Sequence, residues 1–102
     1  MTRRMIWLHD RDNVATALTG IEKGERVTVR LGARSESTTA LEGVAFGHKI
    51  CLRPIASGDA VLKYGLPIGR ATRDIRPGEW VHTHNCRSDR WGFLRDKYGD
   101  KA

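Results

Sequence analysis

A seven-residue pattern occurs three times in the chain and constrains its fold more than any other feature of the sequence. The pattern is Ile-x-x-Gly-acid-x-Val, at residues 21–27, 55–61 and 75–81. Glycine at the fourth position suits a turn that needs a positive φ, and the residues after it are typical of a strand. Pro77 strengthens the turn prediction for the third copy. Because the copies are unevenly spaced, they do not form a regular solenoid. They predict a small β-rich domain that reuses one turn-and-strand unit.

Two stretches alternate apolar and polar side chains, as half-buried strands do. In residues 27–31 the odd positions are apolar and the even positions are polar. In residues 48–53 the alternation predicts that Ile50 faces the core and that Cys51 faces water. Residues 32–43 are polar, small and bounded by glycines, which predicts a loop.

One short helix is predicted near the N-terminus. Asp12 or Asn13 is suited to cap it, and the small apolar residues 14–18 would form about two turns. Gly20 is placed to follow its last residue.

The chain of 102 residues is long enough for one domain with a modest core. We assign that domain to residues 1–86. Residues 87–102 place aromatic and apolar side chains among charges without a strand period, which predicts a tail or linker. A catalytic cleft enclosed by this chain alone would be tight, so an enzymatic role requires a second domain or subunit.

The charge balance favours an anionic partner. Lys and Arg number 18 against 12 Asp and Glu, for a formal charge of +6, which suits nucleic acid, acidic lipid or a small anionic substrate. The basic residues are spread along the chain without a run or interleaved aromatic residues, which argues against nucleic acid. No stretch approaches the ~20 apolar residues of a membrane span. The two cysteines make no disulfide framework, so the sequence predicts a cytoplasmic protein without membrane contact.

Polar residues with chemical potential follow the third copy. If the strand continues, His82, His84 and Cys86 share one face and Asn85 lies on the other. Two histidines on one face can ligate zinc or iron, or act as general acid and base. On this stretch alone the simpler interpretation, the polar end of a strand, is favoured, because the sequence places no third metal ligand nearby.

Two further groups are candidates for binding an anionic substrate. His48 and Lys49 follow a glycine and offer a proton shuttle and an anion anchor. Lys63, Tyr64 and Arg70 add two cations and a phenol beside other glycines. Each group also fits ordinary solvated turns.

Neither cysteine is predicted to be a catalytic nucleophile. Cys51 lies between Lys49 and Arg53, cations that would lower the pKa of a thiol on a wet face. However, the sequence places no acid–base partner beside Cys51 or Cys86, so both are predicted to be passive.

Three segments, taken in order, resemble the N-terminal domain of the altronate and galactarate dehydratases. They are "DNVATAL", "FGHKICLRPI" and "GDAVLKYGLPIGRATRDIRPGEWVHTHN", and the resemblance covers roughly residues 10–85. That family includes split enzymes, such as sulfolactate sulfo-lyase, whose small subunit is this domain alone. The resemblance implies a mainly β fold, the SAF-type β-clip, together with the short helix predicted above.

The resemblance also implies a function. The family removes the proton α to a carboxylate and expels water or sulfite from the neighbouring carbon, with a divalent metal, often iron, stabilising the enediolate. A large catalytic subunit or C-terminal catalytic domain is expected to hold most of that machinery and the metal. A non-catalytic SAF module that binds carbohydrate or directs assembly is the alternative. A homo-oligomer is a further possible assembly.

The family pattern carries roles onto matching positions of this chain. It implies acid, base or metal-facing roles for His48, His82 and His84. It implies substrate binding by a larger set: Asp12, Asn13, Lys49, Lys63, Tyr64, Arg70 and Asn85. The chain departs from the pattern at Pro54, where the family has an acid, at Cys51, where it has alanine, and at Cys86, where an apolar residue is usual. None of the three departures removes one of these predicted groups.

Overall fold

The computed structural model describes residues 4–88, and every regular element in that range is a β-strand. The strands are β1 (Met5–Ile6), β2 (Val14–Ala17), β3 (Arg26–Leu31), β4 (Arg34–Thr39), β5 (Lys49–Cys51), β6 (Ala60–Lys63), β7 (Leu66–Ala71), β8 (Trp80–Val81) and β9 (Cys86–Ser88). This architecture confirms the prediction of a mainly β fold and is consistent with a SAF-type β-clip. No helix in this range is long and apolar enough to cross a membrane.

A central antiparallel sheet in the order β1-β2-β5-β8 lies between two smaller sheets. The β3–β4 hairpin covers one face, where Val27 and Val29 join Ile50 in a core cluster. The sheet β6-β7-β9 covers the other face, where Val61 packs in a second cluster with Cys51. The central sheet therefore buries both faces, and successive residues of β5 belong to different cores.

The turn-and-strand unit occurs four times in the structure, once more than the sequence pattern indicated. The additional copy is residues 44–50, in which His48 occupies the position of the acid. All four glycines have positive φ: Gly24 (89°), Gly47 (82°), Gly58 (88°) and Gly78 (92°). In each copy the N–H after the glycine donates to the carbonyl three residues earlier, as from His48 to Ala45 at 3.0 Å. Glycine is the residue that adopts this backbone without strain.

The four units form two similar halves. The first and second units are joined by the bridge Ile21–Val44, and the third and fourth by Ile55–Ile75. Between the members of each pair runs a hairpin, β3–β4 in one half and β6–β7 in the other. The second unit is anchored on Ala17 of β2, and the fourth unit is anchored in the same way on Cys51 of β5. Strand β5 therefore ends the first half and begins the second.

The predicted N-terminal helix is wrong, because residues 14–17 form strand β2 between β1 and β5. Val14 packs in one core cluster and Ala15 in the other, as side chains of a strand alternate. A two-turn segment also gains little from helix formation, since nucleation is unfavourable. The expected caps, Asp12 and Asn13, bind the main chain of the β6–β7 hairpin instead.

Half of the predicted loop over residues 32–43 is a strand, because β4 covers six of its twelve residues. β4 pairs with β3 through six residues, and Thr28 and Ser37 share a hydroxyl hydrogen bond of 2.8 Å on its outer face. Thr38 is the buried side chain of β4, which explains why the strand lacks apolar alternation. The folded part of the chain extends to Ser88, because β9 pairs with β7. Most of the predicted tail, residues 89–102, lies outside the described residues.

Candidate histidine site

The three predicted catalytic histidines come together around one tryptophan at an end of the central sheet. The ring centroid of Trp80 lies 5.7 Å from that of His48, 5.2 Å from that of His82 and 4.7 Å from that of His84. His48 and His82 are themselves 4.7 Å apart. His82 and His84 are exposed, whereas His48 and Trp80 are half-buried. Residues from two turns, separated by more than thirty positions in sequence, thus form one accessible histidine cluster, defined as His48, His82 and His84.

Antiparallel pairing explains this convergence. Ile50 of β5 is paired with Trp80 of β8, so the start of β5 and the end of β8 lie at the same end of the sheet. His48 enters β5 from the second turn unit, and His82 leaves β8 directly after Val81.

Residues 82–85 form a turn, so the predicted strand continuation through "HTHN" is wrong. The His82 carbonyl accepts hydrogen bonds from the main-chain N–H groups of Asn85, at 3.1 Å, and Cys86, at 2.9 Å. The Asn85 side chain is fully buried; its Oδ1 accepts from the His82 N–H at 3.0 Å, and its Nδ2 donates to the Trp80 carbonyl at 2.8 Å. The buried amide stabilises this turn, because it supplies both a donor and an acceptor to the main chain.

Sequence reasoning missed Trp80 and Glu42. The Trp80 N–H donates to Glu42 Oε2 at 3.1 Å, and the Trp80 indole Nε1 donates to His48 Nδ1 at 3.0 Å. Trp80 occupies the variable position of the repeated pattern, so the pattern gave no reason to select it. A tryptophan beside two histidines was the available signal, since a partly buried indole N–H usually has a hydrogen-bond partner.

Two of the predicted substrate-binding residues, Lys49 and Lys63, lie near enough to each other for their charges to interact. Lys49 follows His48 and is paired in register with Val81, the residue before His82. Burial of the Lys49 side chain, and secondarily the charge of Lys63, lower the pKa of Lys49, and Cys86 acts in the opposite direction. Lys63 Nζ lies 5.9 Å from the ring centroid of exposed Tyr64. A carboxylate bound at the two ammonium groups would relieve their mutual repulsion.

Asp12 and Asn13 support the hairpin that carries Lys63 and Tyr64. The buried carboxylate of Asp12 accepts from the N–H groups of Tyr64, at 2.9 Å, and Gly65, at 2.7 Å, where the chain turns with positive φ at both residues. Asn13 accepts from the Leu62 N–H at 2.8 Å and donates to the Ala60 carbonyl at 3.0 Å. Direct contact of Asp12, Asn13 or Asn85 with a substrate stays a prediction, whereas their hydrogen bonds identify them as supports of the site.

Arg70 is carried by strand β7 of the β6-β7-β9 sheet, not by the turns that form the histidine cluster. It is exposed on β7, next to Ala71, whose side chain packs in the core. Its Nη1 donates to the Gly58 carbonyl at 3.2 Å. The structure therefore places Arg70 on the outer face of its sheet, and its predicted role in substrate binding stays a prediction.

The described residues do not fit a metal centre. Within residues 4–88, no three His, Cys, Asp or Glu side chains are grouped so that they could hold a metal ion. The imidazole rings of His82 and His84 pack on the Trp80 ring. Metal ligation by His82 and His84 stays a prediction that would need further ligands from elsewhere.

Cys51 is buried, so the prediction that it faces water with a lowered pKa is wrong. It is fully inaccessible within the second core cluster, and its Sγ–H donates to the Arg53 carbonyl at 2.9 Å. Burial raises the pKa of the Cys51 thiol to about 12, against a smaller opposing effect of the Arg53 main chain. A passive role for Cys51 agrees with these surroundings.

We expect thiol labelling at about pH 8 to modify Cys86 at least about 100-fold faster than Cys51. The reason is that Cys86 is only half-buried, whereas Cys51 is shielded and has a raised pKa. Mass spectrometry of chains labelled with and without urea measures both rates, and Cys86→Ser isolates the slow thiol. Fast labelling of Cys51 in the folded Cys86→Ser chain would contradict its burial.

Comparisons with known proteins agree with this architecture. The family model described as the altronate/galactarate dehydratase SAF domain matches residues 3–89. Altronate dehydratase of Bacillus subtilis is 41% identical over 87 residues, which is 85% of this chain and 17% of that enzyme. Altronate dehydratase of Escherichia coli is 45% identical over 84 residues, covering 82% of this chain and 16% of the enzyme.

A smaller relative is matched almost from end to end. (2R)-sulfolactate sulfo-lyase subunit alpha of Chromohalobacter salexigens is 34% identical over 88 residues, which cover 82% of this chain and 94% of that subunit. The chain thus spans about a sixth of the altronate dehydratases that it matches and nearly all of this subunit. With the family model matching most of its length, the chain belongs to the altronate/galactarate dehydratase SAF domain family.

Proposed function

We propose that this SAF domain completes the active site of a larger lyase chain that acts on a hydroxylated sugar acid or a related hydroxycarboxylate. The observation that carries the proposal is the histidine cluster, where three imidazoles from two separate turns meet at an accessible end of the sheet. Polar side chains that only contact solvent at the end of a strand would not need to come together around one ring. The names of the relatives, sugar-acid dehydratases and a sulfo-lyase subunit, support the same reaction class.

The chain's own groups divide the work by chemistry. His82 and His84 are the exposed imidazoles, suited to accept or donate a proton at the substrate. Lys49 and Lys63 are suited to bind the carboxylate, since burial and the nearby charge of Lys63 lower the pKa of Lys49 and an anion would offset both effects. The reaction removes the proton α to a carboxylate and expels a group from the next carbon. It therefore needs both proton transfer and carboxylate binding.

A large catalytic subunit or domain supplies the remainder of the site in this proposal. The described residues alone form a surface cluster, and its exposed imidazoles leave the reaction open to water. Any divalent metal, including the iron that the family resemblance implies, would be held by that partner, because the described residues offer no sufficient ligand set. When bound there, the metal would stabilise negative charge on the enediolate oxygen.

The test is co-expression of the full chain with a large lyase chain of the same organism, followed by assay of altronate, galactarate and sulfolactate with ferrous iron added or chelated. We expect turnover by the complex and at least about tenfold lower turnover with His82→Ala or His84→Ala. Thr83→Ala, an exposed change on the same turn, is the matched control and should retain full activity.

Two results would contradict the proposal. One is full activity of the large chain without this domain. The other is an intact complex in which both histidine variants turn over substrate at the wild-type rate. Binding of the sugar acids to the domain without any turnover by the complex would favour the non-catalytic carbohydrate-binding module.

A further inference from the structure

We propose that Trp80 is a positioning residue that holds His48 in one tautomer, so that His48 acts as a neutral hydrogen-bond donor through Nε2–H. The inference rests on the proposed function for its catalytic consequence, but the tautomer itself is a property of the chain alone. It divides the histidine cluster into one donor and two residues suited to proton transfer.

The direction of one hydrogen bond determines the tautomer. The indole nitrogen of Trp80 can only donate, and it lies 3.0 Å from His48 Nδ1. His48 Nδ1 must therefore carry a lone pair, which places the proton of the neutral ring on Nε2. A proton on Nδ1 would bring two N–H groups face to face and break the bond.

Trp80 is held firmly enough to impose this choice. Its main-chain N–H donates to Glu42 Oε2 at 3.1 Å, and its carbonyl accepts from buried Asn85 Nδ2 at 2.8 Å. Its indole is stacked on the His82 ring with an interplanar angle of 11°. Three independent contacts thus fix the backbone and the plane of the donor.

The fixed tautomer excludes two roles for His48. Ligation of a metal through Nε2 requires a lone pair there and a proton on Nδ1, where a ligating histidine normally donates to an oxygen. Action as a base through Nε2 requires the same lone pair. Both arrangements conflict with the Trp80 N–H. The role left to His48 is donation of Nε2–H to a negatively charged oxygen, such as the substrate carboxylate or the enediolate.

His82 and His84 differ from His48 in this respect. Within residues 4–88 they contact Trp80 through their rings, and no side-chain or main-chain group forms a hydrogen bond with their ring nitrogens. Their tautomers are therefore not fixed by the domain, and either ring can exchange a proton with substrate. The catalytic proton transfers fall to this pair.

The test is nitrogen-15 NMR of the imidazoles in the full chain at about pH 8, above the ordinary imidazole pKa. We expect His48 to show an unprotonated Nδ1 and a protonated Nε2, with a coupling across the hydrogen bond from Trp80 Nε1. Trp80→Phe keeps an aromatic ring but removes the donor, and should convert His48 to a mixture of tautomers. Trp7→Phe is the matched control, because it removes an indole that donates elsewhere, to the Asp12 carbonyl at 3.1 Å.

A protonated Nδ1 on His48 in the wild-type chain, or a tautomer unchanged by Trp80→Phe, would overturn the inference. The wild-type spectrum decides the first point even where the variant fails to fold. In the complex with the large chain, Trp80→Phe should lower kcat/KM by about tenfold. An unchanged kcat/KM with an altered tautomer would remove the catalytic consequence. Absence of turnover by the wild-type complex would contradict the proposed function and leave the tautomer standing.

Discussion

Gly78→Ala is expected to lower the free energy of unfolding by about 3–5 kcal/mol, the largest loss from any single methyl group that we expect in this domain. Gly78 is buried, has a φ of 92°, and hydrogen-bonds to Cys51 and Leu41. An added Cβ would meet the Thr39 carbonyl oxygen well inside 3.0 Å, with Leu41 also in close contact. Steric overlap with main chain thus adds to the strain of a left-handed backbone.

Gly58→Ala is the matched control for this prediction. Gly58 occupies the same position of the third turn unit with a φ of 88°, but a Cβ there would have no atom within 4 Å. It should lose about 1–2 kcal/mol, from backbone strain alone. Urea unfolding followed by tryptophan fluorescence measures both variants. Equal losses would show that the contact with residues 39–41 does not restrict position 78.

Asn85→Leu is expected to lower the free energy of unfolding by about 2–4 kcal/mol. Leucine fills a similar volume but offers no hydrogen bond to the His82 N–H or the Trp80 carbonyl, which Asn85 now satisfies. Since residue 85 is fully buried, leucine also keeps water from replacing the amide. The turn that carries His82 and His84 should loosen together with the indole beneath it.

Thr83→Ala changes an exposed side chain on the same turn and should alter stability by less than about 0.5 kcal/mol. Thermal unfolding gives the difference in stability, and the ring-proton shifts of His82 report whether the turn has moved. An Asn85→Leu variant with the wild-type midpoint and unchanged His82 shifts would show that the buried amide does not support the site.

The sequence predicted the turn units wherever the repeated pattern kept its acid and its valine. The unit at residues 44–50 escaped detection because His48 replaces the acid, although Gly47 gives it the same backbone. At that position the second unit carries a histidine, where the other units carry Glu or Asp. The sequence pattern was defined by side-chain types, so it missed this unit, which is defined by its main-chain conformation.

Tertiary packing explains the other differences between the sequence predictions and the structure. Residues 14–17 gave a helical interpretation because their small apolar side chains serve two cores, which hides the strand period. The same burial on both faces removed Cys51 from water, where alternation along one strand had placed it. The histidines were found by residue type and family pattern, whereas Trp80 became visible only through its contacts.

Sharing of strand β5 by the two halves has a consequence for cooperativity. Ile50 closes one core and Cys51 begins the other, while their main chain pairs with β2 on one side and β8 on the other. Neither half can open alone without exposing a strand that the other half requires. Residues 4–88 are therefore expected to unfold as one all-or-none unit, and the histidine cluster shares the rigidity of that unit.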